Sequence, residues 1–163
     1  MRVDATAIDD TGGNSFPGIN DSTTLNFTVA DVAAPTLSSS SPADNASGVA
    51  NSANIVLTFN ENIAAGSGNI TLKKSSDNST VQVMPVDGGN VTISGNTVTI
   101  NPTANLDSSE GYYLQIAATA IDDASGNSYA GISNATALNF TAADIIAPTL
   151  SSSSPADNAT GVA

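Results

Sequence analysis

The side chains of this chain that could do chemistry are almost all carboxylates. The sequence has 13 Asp and 2 Glu against three Lys and Arg residues, which gives a formal net charge of −12. It has no His and no Cys, which excludes imidazole and thiol catalysis, disulfides and the common zinc and copper sites. Carboxylate oxygens are the ligands that calcium prefers. The composition therefore suits calcium binding, but it suits a solvated acidic surface as well, and the charge alone does not separate the two.

The same charge restricts the partners of the chain. A strongly acidic surface repels the phosphates of nucleic acids and of anionic lipids. No run of 18 apolar residues is present, so the sequence predicts no membrane insertion. With four Phe, three Tyr and no Trp, the few aromatic rings are needed to fill a core. This scarcity weakens a carbohydrate-binding interpretation.

An internal repeat organises the carboxylates along the chain. Residues 5–50 match residues 118–163 at a spacing of 113 residues, with 34 of 46 positions identical and no gap. A period of this length is the size of one small domain. The sequence therefore predicts a tandem repeat of about 113 residues, with boundaries near Asp31 and Asp144.

These boundaries predict one complete domain with a partial repeat on each side. We expect the C-terminal part of a preceding repeat in residues 1–32, a complete domain in residues 33–144 and the N-terminal part of a following repeat in residues 145–163. The segment that joins neighbouring domains is only a few residues long and is not rich in Gly, so we expect restricted pivoting between them.

Short segments with alternating apolar residues recur along the period, and none has a sustained helical period. The clearest example places Ile55, Leu57 and Phe59 on one face. Seven or eight such strands, separated by Gly, Asn, Asp, Ser and Pro, predict an all-β, antiparallel two-sheet sandwich. A parallel β-helix is the structural alternative, but its repeats are much shorter. Tyr112 or Tyr113 is expected to form a tyrosine corner or to occupy an ordinary core position.

Five sequence blocks in a fixed order resemble a known family. They read APTL, SPADNASGVA, IVLTFNENI, DDASGN and LNFT. Their order and spacing closely resemble the bacterial immunoglobulin-like tandem repeats of surface-layer proteins and of giant repetitive (RTX-type) adhesins. The resemblance covers one whole period, roughly residues 33–144. It implies an immunoglobulin-like sandwich, export to the cell surface or the medium, calcium at domain junctions and no enzymatic activity.

The topology of this family predicts where carboxylates meet. The loop after the second strand, the loop before the last strand and the incoming linker arrive at one pole of such a sandwich. Here these segments carry Glu61, the pair Asp122 and Asp123, and Asp31. We therefore predict a calcium site at the domain junction, completed by amide and backbone oxygens. Through the repeat, the predicted metal ligands also include Asp9, Asp10 and Asp144.

Turn formation is the alternative role for these acidic residues. Asp and Asn stabilise turns by bonding to nearby backbone, and Gly supplies positive φ. The segment 122–127 fits such a turn, and the two roles are compatible. Asp44 and Asp157 are predicted to stabilise turns at the opposite pole.

Taken together, these expectations favour a structural role. We expect a calcium-stiffened spacer of a large extracellular bacterial adhesin, in contact with neighbouring repeats of its own chain. One alternative is a ligand- or carbohydrate-binding accessory module of a secreted enzyme. Another is a surface-layer or filament subunit that assembles with other copies of itself by strand complementation. An enzyme is not expected, because the sequence indicates no aromatic-lined cleft for its paired carboxylates.

Overall fold

The computed structural model describes residues 1–161, so the last two residues of the predicted segment 145–163 lie outside the described range. The chain divides into two compact units, Met1–Val32 and Ala33–Ala163. All strands of the described residues belong to the second unit. No helix within residues 1–161 has the length and apolar character needed to cross a membrane.

The second unit is built from short strands. In chain order they are β1 (Leu37–Ser41), β2 (Ala46–Val49), β3 (Ile55–Phe59), β4 (Ile63–Ala65), β5 (Asn69–Lys74), β6 (Thr80–Pro85), β7 (Val91–Ser94), β8 (Thr97–Ile100), β9 (Gly111–Ile116), β10 (Ile121–Asp123) and β11 (Asn139–Ala142).

Two sheets share one core. The first has the strand order β1-β3-β8-β7, and the second has the order β2-β11-β9-β5-β6. A small third sheet pairs β10 with β4. All pairings are antiparallel except that of β2 with β11. The predicted all-β sandwich is confirmed, and the parallel pair arises because the chain changes sheets between β1 and β2 instead of turning back in a hairpin.

Alternation along the strands builds the core. In β3, Ile55, Leu57 and Phe59 are buried while the residues between them are partly exposed, because successive side chains of a strand point to opposite faces. The second sheet contributes Tyr112 and Phe140, whose rings stack with centroids 6.0 Å apart. Apolar side chains from both sheets join in one cluster, and their burial is the main favourable contribution to folding.

The structure has more strands than the seven or eight predicted. β4 and β10 have only three residues each, which is too short for alternation to reveal them, and β2 (ASGV) does not alternate apolar and polar residues. One of them corrects the predicted position of two acidic residues. Asp122 and Asp123 lie in β10, where they pair with β4, and not in a loop. A tight turn at Gly95 and Asn96 joins β7 to β8.

Two local backbone pairings of the first unit recur 113 residues later in the second unit. Two pairs of isolated backbone bridges recur at this spacing, Val3–Ile19 with Ile116–Ile132 and Asp9–Ser15 with Asp122–Ser128. The exposure of corresponding side chains differs sharply. Phe27 is 82% exposed, whereas its counterpart Phe140 is 2% exposed.

Candidate metal site

One pole of the second unit lies where the chain enters β1. The Thr36 N–H donates to Asn60 Oδ1 (2.6 Å), and the Asn60 N–H donates to Thr36 O (3.1 Å). The β7–β8 hairpin lies at the same pole, because the Ile63 N–H donates to Gly95 O (2.9 Å). Glu61 follows Asn60 directly and is therefore held beside both the entering chain and the hairpin.

Two carboxylates approach each other at this pole. An oxygen of Glu61 and an oxygen of Asp123 lie within 4.8 Å of each other. Glu61 is partly buried and Asp123 is 5% exposed. Asp123 pairs with Ile63 in the small β4–β10 sheet, which places it near a residue only two positions from Glu61. Two oxygens that each lie about 2.4 Å from one calcium ion are separated by at most about 4.8 Å, so this pair fits one ion.

Asp123 also organises the turn that follows it. Its Oδ1 accepts from the backbone N–H groups of Ser125 and Asn127 (both 2.8 Å), and its Oδ2 accepts from Asn127 Nδ2 (2.7 Å). The Asn127 side chain is the main cause that holds the pKa of Asp123 below its ordinary 3.8, and burial opposes it. The predicted turn is confirmed. The carboxylate is therefore ionised at neutral pH although it is buried.

Asp122 does not join this pair. Adjacent strand residues point to opposite faces, and the Asp122 Oδ1 accepts from Ser128 Oγ (2.6 Å). Asp122 also lies against Gly66, because a Cβ added to Gly66 would lie only 2.6 Å from Asp122 Oδ2. The structure therefore brings Asp123 to Glu61 and turns Asp122 away from it.

The first unit contains three more predicted ligands. Asp10 has the bonds of Asp123, because its Oδ1 accepts from the N–H groups of Gly12 (2.8 Å) and Asn14 (2.9 Å), and its Oδ2 accepts from Asn14 Nδ2 (2.9 Å). The Asn14 side chain is the first cause that lowers the pKa of Asp10. Asp9 lies in a backbone bridge. Asp31 lies near the C-terminal end of this unit.

Asp144 lies at the other end of the second unit, where the chain leaves β11. Its Oδ1 accepts from Ser108 Oγ (3.1 Å) and from the Ile146 N–H (3.0 Å). The Ile146 N–H is the main cause that lowers the pKa of Asp144. Asp44, predicted to stabilise a turn, makes a long-range contact that the sequence did not reveal. Its Oδ1 accepts from the Asn139 N–H and Nδ2 (both 3.0 Å) and joins the β1–β2 loop to β11.

The loop before β9 is anchored through a tyrosine. The Tyr112 hydroxyl accepts from the Asp107 N–H (2.8 Å), which confirms the predicted tyrosine corner and assigns it to Tyr112. The neighbouring Tyr113 hydroxyl donates to Asn78 Oδ1 (3.1 Å). An ion pair between Lys74 Nζ and Asp107 Oδ2 (2.7 Å) adds a second anchor.

The fold is that of an immunoglobulin-like domain with a carboxylate pair at the pole where the chain enters. A family model described as the bacterial Ig-like domain matches residues 31–142. The chain therefore belongs to the bacterial immunoglobulin-like domain family, and the resemblance seen in the sequence blocks is confirmed at this level.

Comparison with solved structures gives two further similarities. The first is the N-terminal part of the bacterial S-layer protein SbsC, at 17% identity and a TM-score of 0.46, with 67% of this chain and 23% of that chain covered. The second is the S-layer protein rSbsC(31-844), at 16% identity and a TM-score of 0.44, with 71% and 14% covered. This chain thus spans less than a quarter of either structure. No curated protein sequence gives a significant match.

Proposed function

We propose that this chain is a non-catalytic spacer module of a large extracellular bacterial adhesin, and that calcium stiffens the junction at which the chain enters the domain. The observation that carries the proposal is the approach of the Glu61 and Asp123 carboxylates to within 4.8 Å at that pole. Membership of the bacterial Ig-like family supports a structural role. The composition supports it independently, because the sequence has no His or Cys with which to build a common catalytic centre.

The two carboxylates would supply part of a calcium shell. Calcium takes six to eight oxygens and commonly combines carboxylates with amide and backbone carbonyls. Asp31 is the third proposed ligand, because it precedes Thr36 by only five residues and Thr36 bonds directly to the residue before Glu61. Backbone carbonyls of the adjoining loops would complete the shell.

The role of the ion would be mechanical. Without a cation, two negatively charged carboxylates at this separation repel each other, and the bonds between Thr36 and Asn60 help to hold the entering segment. A bound calcium ion replaces the repulsion by coordination. If Asp31 is a ligand, the ion also ties the linker to the domain and removes its freedom to pivot. The module would then keep a distal binding domain at a fixed distance from the cell.

Isothermal titration calorimetry with calcium chloride tests the proposed site. The chain is first freed of metal with a chelator, and Glu61→Gln is compared with Glu110→Gln, the only other glutamate. The two substitutions remove the same charge and conserve side-chain shape. We expect saturable binding by the wild type, at least roughly tenfold weaker binding by Glu61→Gln because affinity follows the charge of the ligands, and no change in Glu110→Gln. Absence of calcium binding, or equal weakening by both variants, would contradict the proposal.

A second candidate function is assembly with other copies by strand complementation. It is favoured by the exposed apolar side chains of the first unit, such as Leu25 and Phe27, whose counterparts Leu138 and Phe140 are buried. Exposed apolar side chains of this size favour association with a complementary surface. In the second unit, however, the counterparts of the first unit, residues 114–145, already occupy the positions that an incoming strand would take. Because they belong to the same chain, their effective concentration is high, and they compete with assembly between chains. Sedimentation velocity at increasing protein concentration, with Phe27→Ser as the comparison, distinguishes assembly from a persistent monomer.

A further inference from the structure

The segment that follows β11 is not held by packing of its side chains. After β11 the chain continues through Asp144 to Ile145 and Ile146, whose side chains are 69% and 73% exposed. Two large apolar side chains in solvent contribute no burial that would fix the direction of the backbone. Whatever orients this segment must therefore act through its polar groups.

Hydrogen bonds from one serine supply that orientation. Ser108 Oγ donates to Asp144 Oδ1 (3.1 Å) and accepts from the Ile145 N–H (3.0 Å). The same Asp144 oxygen accepts from the Ile146 N–H (3.0 Å). The hydroxyl, the carboxylate and two successive backbone N–H groups therefore form one connected network. It fixes three consecutive residues that begin two positions after the last residue of β11.

The serine itself is held on a rigid support. Its loop is anchored at Asp107 by the buried Tyr112 hydroxyl and by Lys74. On its other side the Ser109 N–H donates to Ala143 O (3.2 Å). A network is effective in positioning only when its donor and acceptor groups are fixed in advance. Here the fixed loop lets a single hydroxyl define the path of the leaving chain.

We propose that Ser108 and Asp144 form a metal-independent latch that sets the direction in which the chain leaves the domain. The latch acts at the exit pole, whereas the Glu61–Asp123 pair lies at the entry pole, so it stands without the calcium proposal.

Amide hydrogen exchange of the complete ¹⁵N-labelled chain, followed by NMR in the presence of a chelator, tests the latch. Ser108→Ala removes the acceptor of the Ile145 N–H, and we expect this amide to exchange roughly five- to tenfold faster, as for the loss of one hydrogen bond. Asp144→Ala should release the Ile146 amide to a similar extent. Asp144→Asn should leave both amides within twofold of the wild type, because its amide oxygen still accepts both bonds. Ser76→Ala, in an exposed turn, is the control for the loss of a hydroxyl.

An internal reference separates release of the latch from unfolding. The Ala143 N–H donates to Val49 O (2.7 Å) inside the domain, and its exchange should be the same in all variants. The proposal is overturned if Ile145 is as protected in Ser108→Ala as in the wild type. It is equally overturned if Asp144→Asn releases Ile146 as fully as Asp144→Ala, or if the wild-type amides are protected only when calcium replaces the chelator.

Discussion

Replacing Tyr112 by Phe removes one oxygen atom and leaves the ring where it is. The ring is 1% exposed and stacks on Phe140, so the variant retains the apolar contacts of the core. What it loses is the acceptor of the Asp107 N–H at 2.8 Å. Leaving a buried donor without a partner costs about 1–3 kcal/mol. Because Asp107 lies at the surface, water recovers part of this bond, and we expect a loss of about 1–2 kcal/mol.

The adjacent tyrosine provides the matched control. The Tyr113 hydroxyl donates to Asn78 in an exposed turn, where water can replace the lost partner, so Tyr113→Phe should cost less than about 0.5 kcal/mol. For a domain of this size, Tyr112→Phe should lower Tm by about 4–8 °C. Urea denaturation at neutral pH measures the free energies of unfolding of both variants. Equal destabilisation by the two variants would refute the idea that the buried hydroxyl supports the loop before β9.

Further predictions concern a glycine and the acidic side chains. Gly131 has φ +77°, and a Cβ there would meet Ile116 O at 2.5 Å, so Gly131→Ala should lower the free energy of unfolding by more than about 2 kcal/mol. Gly126 has φ +87° but open space around it, so Gly126→Ala should lower it by only about 1 kcal/mol in the same urea assay. Hydrogen bonds hold the folded-state pKa of Asp123 and Asp144 below 3.8. The stability that they contribute is therefore complete above the unfolded pKa and is lost as the pH falls through the folded value. Unfolding free energies measured in steps from neutral pH into the acid range should decline below about pH 4, and Asp123→Asn should weaken that decline.

The sequence predicts the sandwich well where strands are long enough to show alternation. Ile55, Leu57 and Phe59 occupy one face in the structure as their spacing indicates, because each strand packs one side against the core. The turn at Gly95 and Asn96 was equally predictable, since both residues tolerate the backbone geometry of a tight hairpin. Local patterns of this kind are sufficient to define the class of fold.

The candidate site depends on contacts that local patterns do not contain. Glu61 and Asp123 are far apart in the sequence, and their approach depends on the pairing of β4 with β10, which have three residues each. Which of Asp122 and Asp123 faces Glu61 is decided by the register of that pairing, since a shift of one residue reverses the faces. Ser108 gave no signal, because a single serine does not stand out in a chain this rich in serine.

Small-angle X-ray scattering of the 163-residue chain tests most directly whether calcium stiffens the junction. The wild type and Glu61→Gln are measured in excess chelator and at a calcium concentration that saturates the wild type but not Glu61→Gln, with Glu110→Gln as the charge-matched control. Calcium should narrow the distribution of intramolecular distances in the wild type and in Glu110→Gln, and leave the scattering of Glu61→Gln unchanged. Identical wild-type scattering in saturating calcium and in chelator would contradict the account, as would an equal response of Glu61→Gln.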